Sequence, residues 1–176
     1  MRPDPDCRLC GLCEGRTNMV LPHGDATSGV ILVGEAPGEN EDLQGRPFVG
    51  RSGKILDGML AEEGLDRSML LITNTVKCRP PGNRDPTREE MAACRPFLDS
   101  ELRDARLVVG LGKSACRDLM GFEGKMSEIV NVLTTIRVDG KDVPFLPTYH
   151  PAATIYNRNS REELRRTIHI IAEDYL

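Results

Sequence analysis

Apolar positions along the chain alternate between short runs of strand length and longer segments with helical spacing. Residues 29–34 (GVILVG) form a near-continuous apolar run rich in β-branched side chains, the pattern of a strand buried on both faces. Residues 69–73 and Leu107–Leu111 repeat it, which predicts a second and a third buried strand. Residues 52–65 place Ile55, Leu56, Met59 and Leu60 on one helical face, and Gly64 supplies a stop. Thr87 with Glu90 three positions later is a capping-box signature, so a helix carrying Met91 and Cys94 is predicted to start there. Pro96 is expected to break that helix or to open another, because an interior proline removes a hydrogen bond and clashes with the preceding turn. Residues 112–120 predict a short helix. Thr134–Val138 and residues 143–146 flank Asp139-Gly140, a hairpin turn pair. A last helix is expected from Ser160, capped with Glu163, with Leu164, Ile168, Ile171 and Tyr175 at helical spacing. The acid- and glycine-rich GEAPGENED (residues 34–42) and the proline-rich KCRPPGNRDP (residues 77–86) read as loops.

Strands separated by helices imply an α/β fold, a three-layer α/β/α sandwich around a central, mostly parallel sheet. At 176 residues, and with roughly 100 to 200 residues per domain, one domain over residues 1–176 is expected. Hydrophobic content of 39% and charged content of 28% exclude a disordered tail and a collagen-like fibre. No apolar run approaches the roughly 18 residues that span a bilayer, and the polar start MRPDPDCRLC has no signal-peptide character. A cytoplasmic protein with no membrane partner is therefore expected. GEAPG lacks the GxxxxGK[ST] of a P-loop, which makes nucleotide hydrolysis a poor reading.

Composition adds two oddities, six cysteines and a formal net charge of −4. In a reducing compartment cysteines serve as metal ligands, catalytic groups or inert core residues more often than as disulfides. Cys7, Cys10 and Cys13 form CxxCxxC, and Cys78, Cys94 and Cys116 follow. A CxxC serves zinc, redox and iron–sulfur sites alike, and spacing does not separate zinc from a [4Fe–4S] cluster. The acidity argues against a nucleic-acid partner only if the charge is evenly spread, and it is not. Residues 44–54 carry Arg46, Arg51 and Lys54 (+3); residues 77–88 carry four bases against Asp85 (+3); residues 157–166 carry four arginines against two glutamates (+2).

Four segments in order, CxxC followed by EGRT (residues 14–17), GEAPGENEDLQGRPFVGRSGKIL (34–56), NTVKCRPPGNRDP (74–86) and PTYHPAA (147–153), resemble the iron–sulfur uracil-DNA glycosylases called family 4. The resemblance implies a uracil-DNA glycosylase-like sandwich and an enzyme that flips uracil out of DNA, hydrolyses its N-glycosidic bond and leaves an abasic site for base excision repair. It implies a [4Fe–4S] cluster on Cys7, Cys10, Cys78 and Cys94; Cys13 and Cys116 fall outside the pattern and read as bystanders. It implies that His150 hydrogen-bonds uracil O2, that Asn74 reads the uracil edge through its amide, and that Phe48 stacks on the flipped base. An amide both accepts from N3–H and donates to O4, which cytosine does not match.

Gly34 to Gly38 reads as a tight strand-to-loop turn whose backbone amides can approach the base, so the resemblance implies substrate contacts from Gly34, Glu35 and Ala36. Where a related family carries a water-orienting aspartate, this chain has Ala36, so Glu41 and Asn83 are the candidates to position the water. Each of these residues seen alone is as ordinary as a loop histidine or a turn asparagine; their joint occurrence is what points to a site. Arg51, Ser52, Lys54 and Arg84 are expected DNA contacts, with backbone amides at the start of the first helix offering a phosphate site. Ile155 or Tyr156 is the expected wedge, where the family often has leucine followed by arginine. The expected partner is uracil-containing DNA, single- or double-stranded, bound by a monomer; no clear clamp-binding peptide is present for a sliding clamp. The runner-up is a non-turnover uracil-DNA binding or crosslinking protein of the same superfamily. That variant needs a histidine near the Cys78 loop, and Pro80 to Arg88 contains none.

Overall fold

The computed structural model describes residues 2–176, and Met1 lies outside the described residues. Six strands form one sheet: β1 (His23–Gly24), β2 (Val30–Gly34), β3 (Leu71–Asn74), β4 (Leu107–Leu111), β5 (Thr134–Val138) and β6 (Lys141–Thr148). Their order is β1-β3-β2-β4-β6-β5, with the four inner strands parallel and an antiparallel strand at each edge. Among the described residues six α-helices accompany them, the last following β6: α1 (Glu39–Gln44), α2 (Arg51–Glu62), α3 (Arg88–Leu102), α4 (Lys113–Met120), α5 (Met126–Ile129) and α6 (Arg158–Asp174). The predicted α/β sandwich is the observed architecture.

β2, β3 and β4 are buried on both faces along their whole length, as is the second half of β6, and alternate residues feed two cores. Val30, Leu32, Leu107 and Val109 pack against Leu56, Met59 and Leu60 of α2 and Leu164, Ile168 and Ile171 of α6. Ile31, Val33 and Val108 face the other side, against Leu98 and Leu102 of α3, Cys116 and Leu119 of α4 and Ile129 of α5. A third, smaller cluster of Leu12, Val76, Cys78, Cys94 and Phe97 roots the N-terminal segment on α3. The β5–β6 hairpin turns at Asp139 (φ 48°) and Gly140 (φ 79°), the two positive angles that a type I′ turn requires.

Three local expectations are corrected. The GEAPGENED segment is not all loop, because its second half forms α1, whose start Glu41 caps by accepting from the Gly38 N–H at 3.0 Å. Pro96 neither ends nor opens a helix: α3 runs through it. Ala92, whose carbonyl loses its partner there, and Pro96 are both exposed, so water reaches that carbonyl while Phe97, Leu98 and Leu102 keep the opposite face in the core. The last helix starts two residues earlier than expected, with Asn157 as N-cap accepting from Ser160 N–H at 3.0 Å; Ser160 is instead a buried first-turn residue.

Candidate active site

The parallel strands end together, and the chain leaves β2 toward β3 on one side and β4 toward β6 on the other. Such a switch in strand order opens a crevice at the carboxyl ends, the usual ligand position in an open α/β sheet. A cavity of about 200 Å³ lies there, lined among others by Glu35, Ala36, Phe48, Asn74, Asn83 and His150. Gly34 and Asn74 are directly paired across β2 and β3, which brings the asparagine at the end of β3 beside the GEAPG turn. A Cβ on Gly34 would come within 2.6 Å of both Asn74 Oδ1 and the Phe48 ring, so glycine is what lets those two groups meet. Asn74 is only 2% exposed and lines the cavity from the end of β3.

Phe48 sits in the left-handed region (φ 52°), a strained conformation for an aromatic residue. Arg67 holds it there by donating from Nη1 to the Pro47 carbonyl at 3.1 Å and from Nη2 to the Phe48 carbonyl, while Nε pairs with Asp57 at 2.7 Å. A Cβ on Gly53 would collide with the same Phe48 carbonyl, so α2 needs a glycine to pass beneath this loop. The Phe48 ring ends 5.6 Å from the His150 ring, tilted by 32°.

His150 ends the segment after β6 and caps the 3-10 turn Pro151–Thr154; its Nδ1 accepts from the Ala152 N–H at 3.0 Å. Burial lowers its pKa, and the Glu41 carboxylate only partly offsets that, so the ring is neutral near pH 7. A neutral imidazole whose Nδ1 accepts carries its proton on Nε2. Gly112, at φ 96°, lies against His150: a Cβ there would meet the His150 Cβ at 2.9 Å.

Glu41 and Asn83 both line the cavity but are differently engaged. Glu41 Oε1 accepts from Gly38, and Oε2 accepts from Val49 (2.9 Å) and Gly50 (2.7 Å), so this carboxylate ties the GEAPG turn to the loop that carries Phe48. Asn83, at φ 57°, accepts from Arg79 Nε at 2.7 Å through Oδ1 and keeps a second lone pair on that oxygen. Burial raises the Glu35 pKa against a Ser114 hydrogen bond, and the Asp85 carboxylate facing it raises it further.

The expected DNA contacts surround the cavity unevenly. Arg51 and Lys54 are exposed and Ser52 is half-buried at the start of α2, and Ile155 is half-buried beside Tyr156, which is 89% exposed. Arg84 lines the cavity, but its guanidinium makes a bidentate pair with Glu90 (2.7 and 2.9 Å). Lys77, counted above with the basic loops, is wholly buried and adds nothing to the surface charge. The 77–88 segment is thus less basic on its surface than its composition implies, because three of its four cations are turned inward or paired: Lys77 is buried, Arg84 pairs with Glu90 and Arg88 with Glu123 (3.2 Å).

Five thiols line a second cleft: Cys7, Cys10, Cys13, Cys78 and Cys94, walled by Leu9, Met19 and Phe97. Cys13 therefore stands beside the four predicted ligands instead of apart from them, while Cys116 is a core residue between sheet and α4. Arg16 of the EGRT segment donates to the Cys7 carbonyl at 2.7 Å and lies 3.5 Å from Cys78 Sγ. Burial raises the Cys94 pKa and pushes Cys78 up to about 11, so these sulfurs are thiols unless a cation binds them as thiolates. Soft donors in an apolar cleft with one guanidinium beside them fit an iron–sulfur core. Among the described residues, no group of three or more His, Cys, Asp or Glu side chains is placed to hold a single metal ion.

Sequence reasoning missed Arg67, Gly53 and Gly112, whose roles are set by contacts across the fold. Comparison with known proteins agrees with the geometry. A family model described as the uracil DNA glycosylase superfamily matches residues 21–171. A Type-4 uracil-DNA glycosylase of Sulfurisphaera tokodaii is 42% identical, over 95% of this chain and 79% of that protein. Its namesake from Thermotoga maritima is 43% identical, over 96% and 85% respectively. A Type-5 uracil-DNA glycosylase of Pyrobaculum aerophilum is 31% identical over 88% of this chain and 72% of its own. By sequence, fold and pocket together, the chain belongs to the uracil DNA glycosylase superfamily and, within it, to the type-4 uracil-DNA glycosylases.

Proposed function

We propose that the protein extrudes uracil from DNA and hydrolyses its N-glycosidic bond, leaving an abasic site in base excision repair of deaminated cytosine. The observation that carries this reading is one cavity lined by three groups: the side-chain amide of the almost fully buried Asn74, an aromatic ring (Phe48) and a neutral imidazole whose Nδ1 is already engaged as an acceptor (His150). Phe48 stacks on the base. Asn74 accepts from N3–H and donates to O4, and a cytosine would leave that buried amide mismatched at a cost of about 1–3 kcal/mol. As the bond from the sugar to N1 breaks, its electron pair stays on uracil, and His150 Nε2–H donates to the charge that develops on O2. Water then adds to the oxocarbenium-like sugar carbon and gives up a proton, while the uracil anion takes one up. Asn83 is the better placed of the two candidates to orient that water, since all three contacts of Glu41 are to backbone amides.

Cys7, Cys10, Cys78 and Cys94 are read as ligands of a [4Fe–4S] cluster, which when bound supplies thiolate bonds that staple the N-terminus to the residue 78 loop and α3. Arg46, Arg51 and Lys54, exposed on the loop that carries Phe48 and on the start of α2, supply phosphate contacts, with Tyr156 or Ile155 as the wedge. The protein is read as a single-domain cytoplasmic monomer; no helix among the described residues is long and apolar enough to cross a membrane.

Incubation with single- and double-stranded uracil-containing oligonucleotides tests the activity. Free uracil and an alkali-labile site are expected. Release from neither substrate overturns the reading, and a stable covalent adduct would transfer it to the crosslinking alternative, which the glycosylase relatives do not favour. An absorption spectrum with iron analysis tests the cluster: a brown protein is expected, and a colourless one that contains zinc refutes it.

A further inference from the structure

Lys77 is among the largest fully buried side chains in the molecule, an unusual place for a residue type that is almost never buried unless paired. Its ammonium has three protons, and three acceptors receive them: Thr73 Oγ1 at 2.7 Å, Asn74 O at 2.7 Å and Glu101 Oε2 at 2.8 Å. The Thr73 hydroxyl also donates to Glu101 Oε2 at 3.0 Å, so the four groups form a closed network. Two of its members lie on β3, one of them the residue that reads uracil. Glu101 lies on α3, two turns beyond Cys94, and Lys77 immediately precedes Cys78.

The chain folds back to make this possible. After β3, Thr75 and Val76 donate their N–H groups to the Gly34 and Glu35 carbonyls, which turns Lys77 beneath the strand end it has just left. Its own carbonyl accepts from Val20 N–H at 2.7 Å, anchoring the N-terminal segment to the same point. A buried ion pair is poor evidence for stability, because well-packed apolar residues often serve as well or better. A costly polar group retained on the backbone of a recognition residue calls for another reason.

We propose that Lys77 is a positioning residue for uracil recognition: through Glu101 and Thr73 it fixes the Asn74 backbone, and with it the amide that reads the base, to the two segments that carry Cys78 and Cys94. This inference rests on the glycosylase reading given above. Recognition of the base thereby depends on how the cysteine-bearing segments are packed, without Lys77 touching the substrate.

A double-mutant cycle decides it, run on the purified holoprotein with single-turnover uracil release as the readout. Lys77→Met is expected to slow release at least tenfold in the parent but less than twofold in an Asn74→Ala background, where there is no amide left to aim. Iron content and affinity for abasic product DNA should stay within twofold. Equal losses in both backgrounds, or loss of iron from Lys77→Met, overturn the proposal and leave Lys77 a structural support. If Lys77→Met does not fold, Glu101→Gln enters the same cycle under the same criteria. A parent protein that releases no uracil refutes the underlying activity and is recognised before any variant is made.

Discussion

His150 Nδ1 accepts the Ala152 N–H at 3.0 Å, a contact that leaves the proton of the neutral ring on Nε2. Pro151 at the first position of the turn starts the 3-10 segment that supplies the amide. Donation from Nε2 to a developing anion is electrostatic stabilisation, for which removal of one donor typically costs about 10²–10³-fold. His150→Ala should lose that much of the single-turnover rate of uracil release, with a stability loss of only about 1 kcal/mol from the missing cap on the Pro151–Thr154 turn. A loss below threefold would remove His150 from the role.

The same ring sets a pH dependence. Burial holds the folded-state pKa of His150 below its ordinary value of 6.5. Between those two values the unfolded chain binds a proton that the folded one does not, so this residue's contribution makes stability rise with pH and fall as pH drops below 6.5. Protonation also puts a hydrogen on Nδ1 and breaks its contact with Ala152. Uracil release should stay level through neutral pH and fall only on the acid side of 6.5, a fall absent from His150→Ala. A rate that climbs as pH drops through that range would refute the neutral-imidazole mechanism.

Glu41 sits in the cavity wall but works on the backbone. Glu41→Ala leaves the Gly38, Val49 and Gly50 amides without their acceptor. At about 1 kcal/mol for each partly solvated bond, a stability loss of roughly 2–4 kcal/mol is expected, together with slower release. Glu41→Gln keeps one acceptor oxygen and should recover part of both quantities in parallel. If Glu41→Gln instead abolished release while melting normally, Glu41 would be acting on the water.

Glu90 links helix capping to the cavity rim. The Arg84 guanidinium, and then the Thr87 N–H, hold its pKa down to about 2 from an ordinary 4.5. The stabilisation is complete above about 4.5 and is lost as pH falls from there toward 2. Glu90→Gln should therefore narrow the difference in stability between pH 5 and pH 2.5, as read by denaturant unfolding. It should also release Arg84, an exposed residue in other respects, and tighten binding to abasic DNA at low salt. Unchanged acid stability would show that the pair contributes nothing.

Gly34 tests the shape of the site more than its chemistry. The substitution Gly34→Ala would place a methyl group 2.6 Å from Asn74 Oδ1 and from the Phe48 ring. This variant is expected to fold, because the backbone conformation at Gly34 is ordinary strand, and to lose at least a hundredfold in uracil release. A crystal structure or hydrogen-exchange comparison should confine the change to β3 and the Phe48 loop.

Local sequence was a good guide wherever the cause was local. The buried strands, the Thr87–Glu90 cap, the Asp139-Gly140 turn and the apolar faces of α2 and α6 follow from periodicity and turn chemistry within a few residues. Misjudgements arose where distant contacts outweighed local preference. Pro96 is tolerated because its side of α3 faces solvent, and α1 forms in an acid-rich stretch because Glu41 is held by loops on both sides of it. The two-residue β1 had no periodicity to betray it; it exists because β3 presents an edge.

Much the same division runs through the site. Phe48, Asn74 and His150 were legible as motifs, since each stands at a strand end or in a glycine-punctuated loop whose residue types suit a base. Strand pairing alone brings Gly34 beside Asn74, and the crossing of the chain over the sheet alone brings His150 to Phe48 from about a hundred positions away. The fate of each charge was equally invisible along the chain: Lys77 and Arg51 are both cations in motif loops, yet one is sealed beneath β3 and the other faces water. A sequence by itself determines which residues want an apolar face, a cap or a turn, because those forces act over a few bonds. Burial, hydrogen-bond partners and the direction of a donor depend on groups that only the folded sheet brings within 3 Å, and the tertiary structure alone decided them.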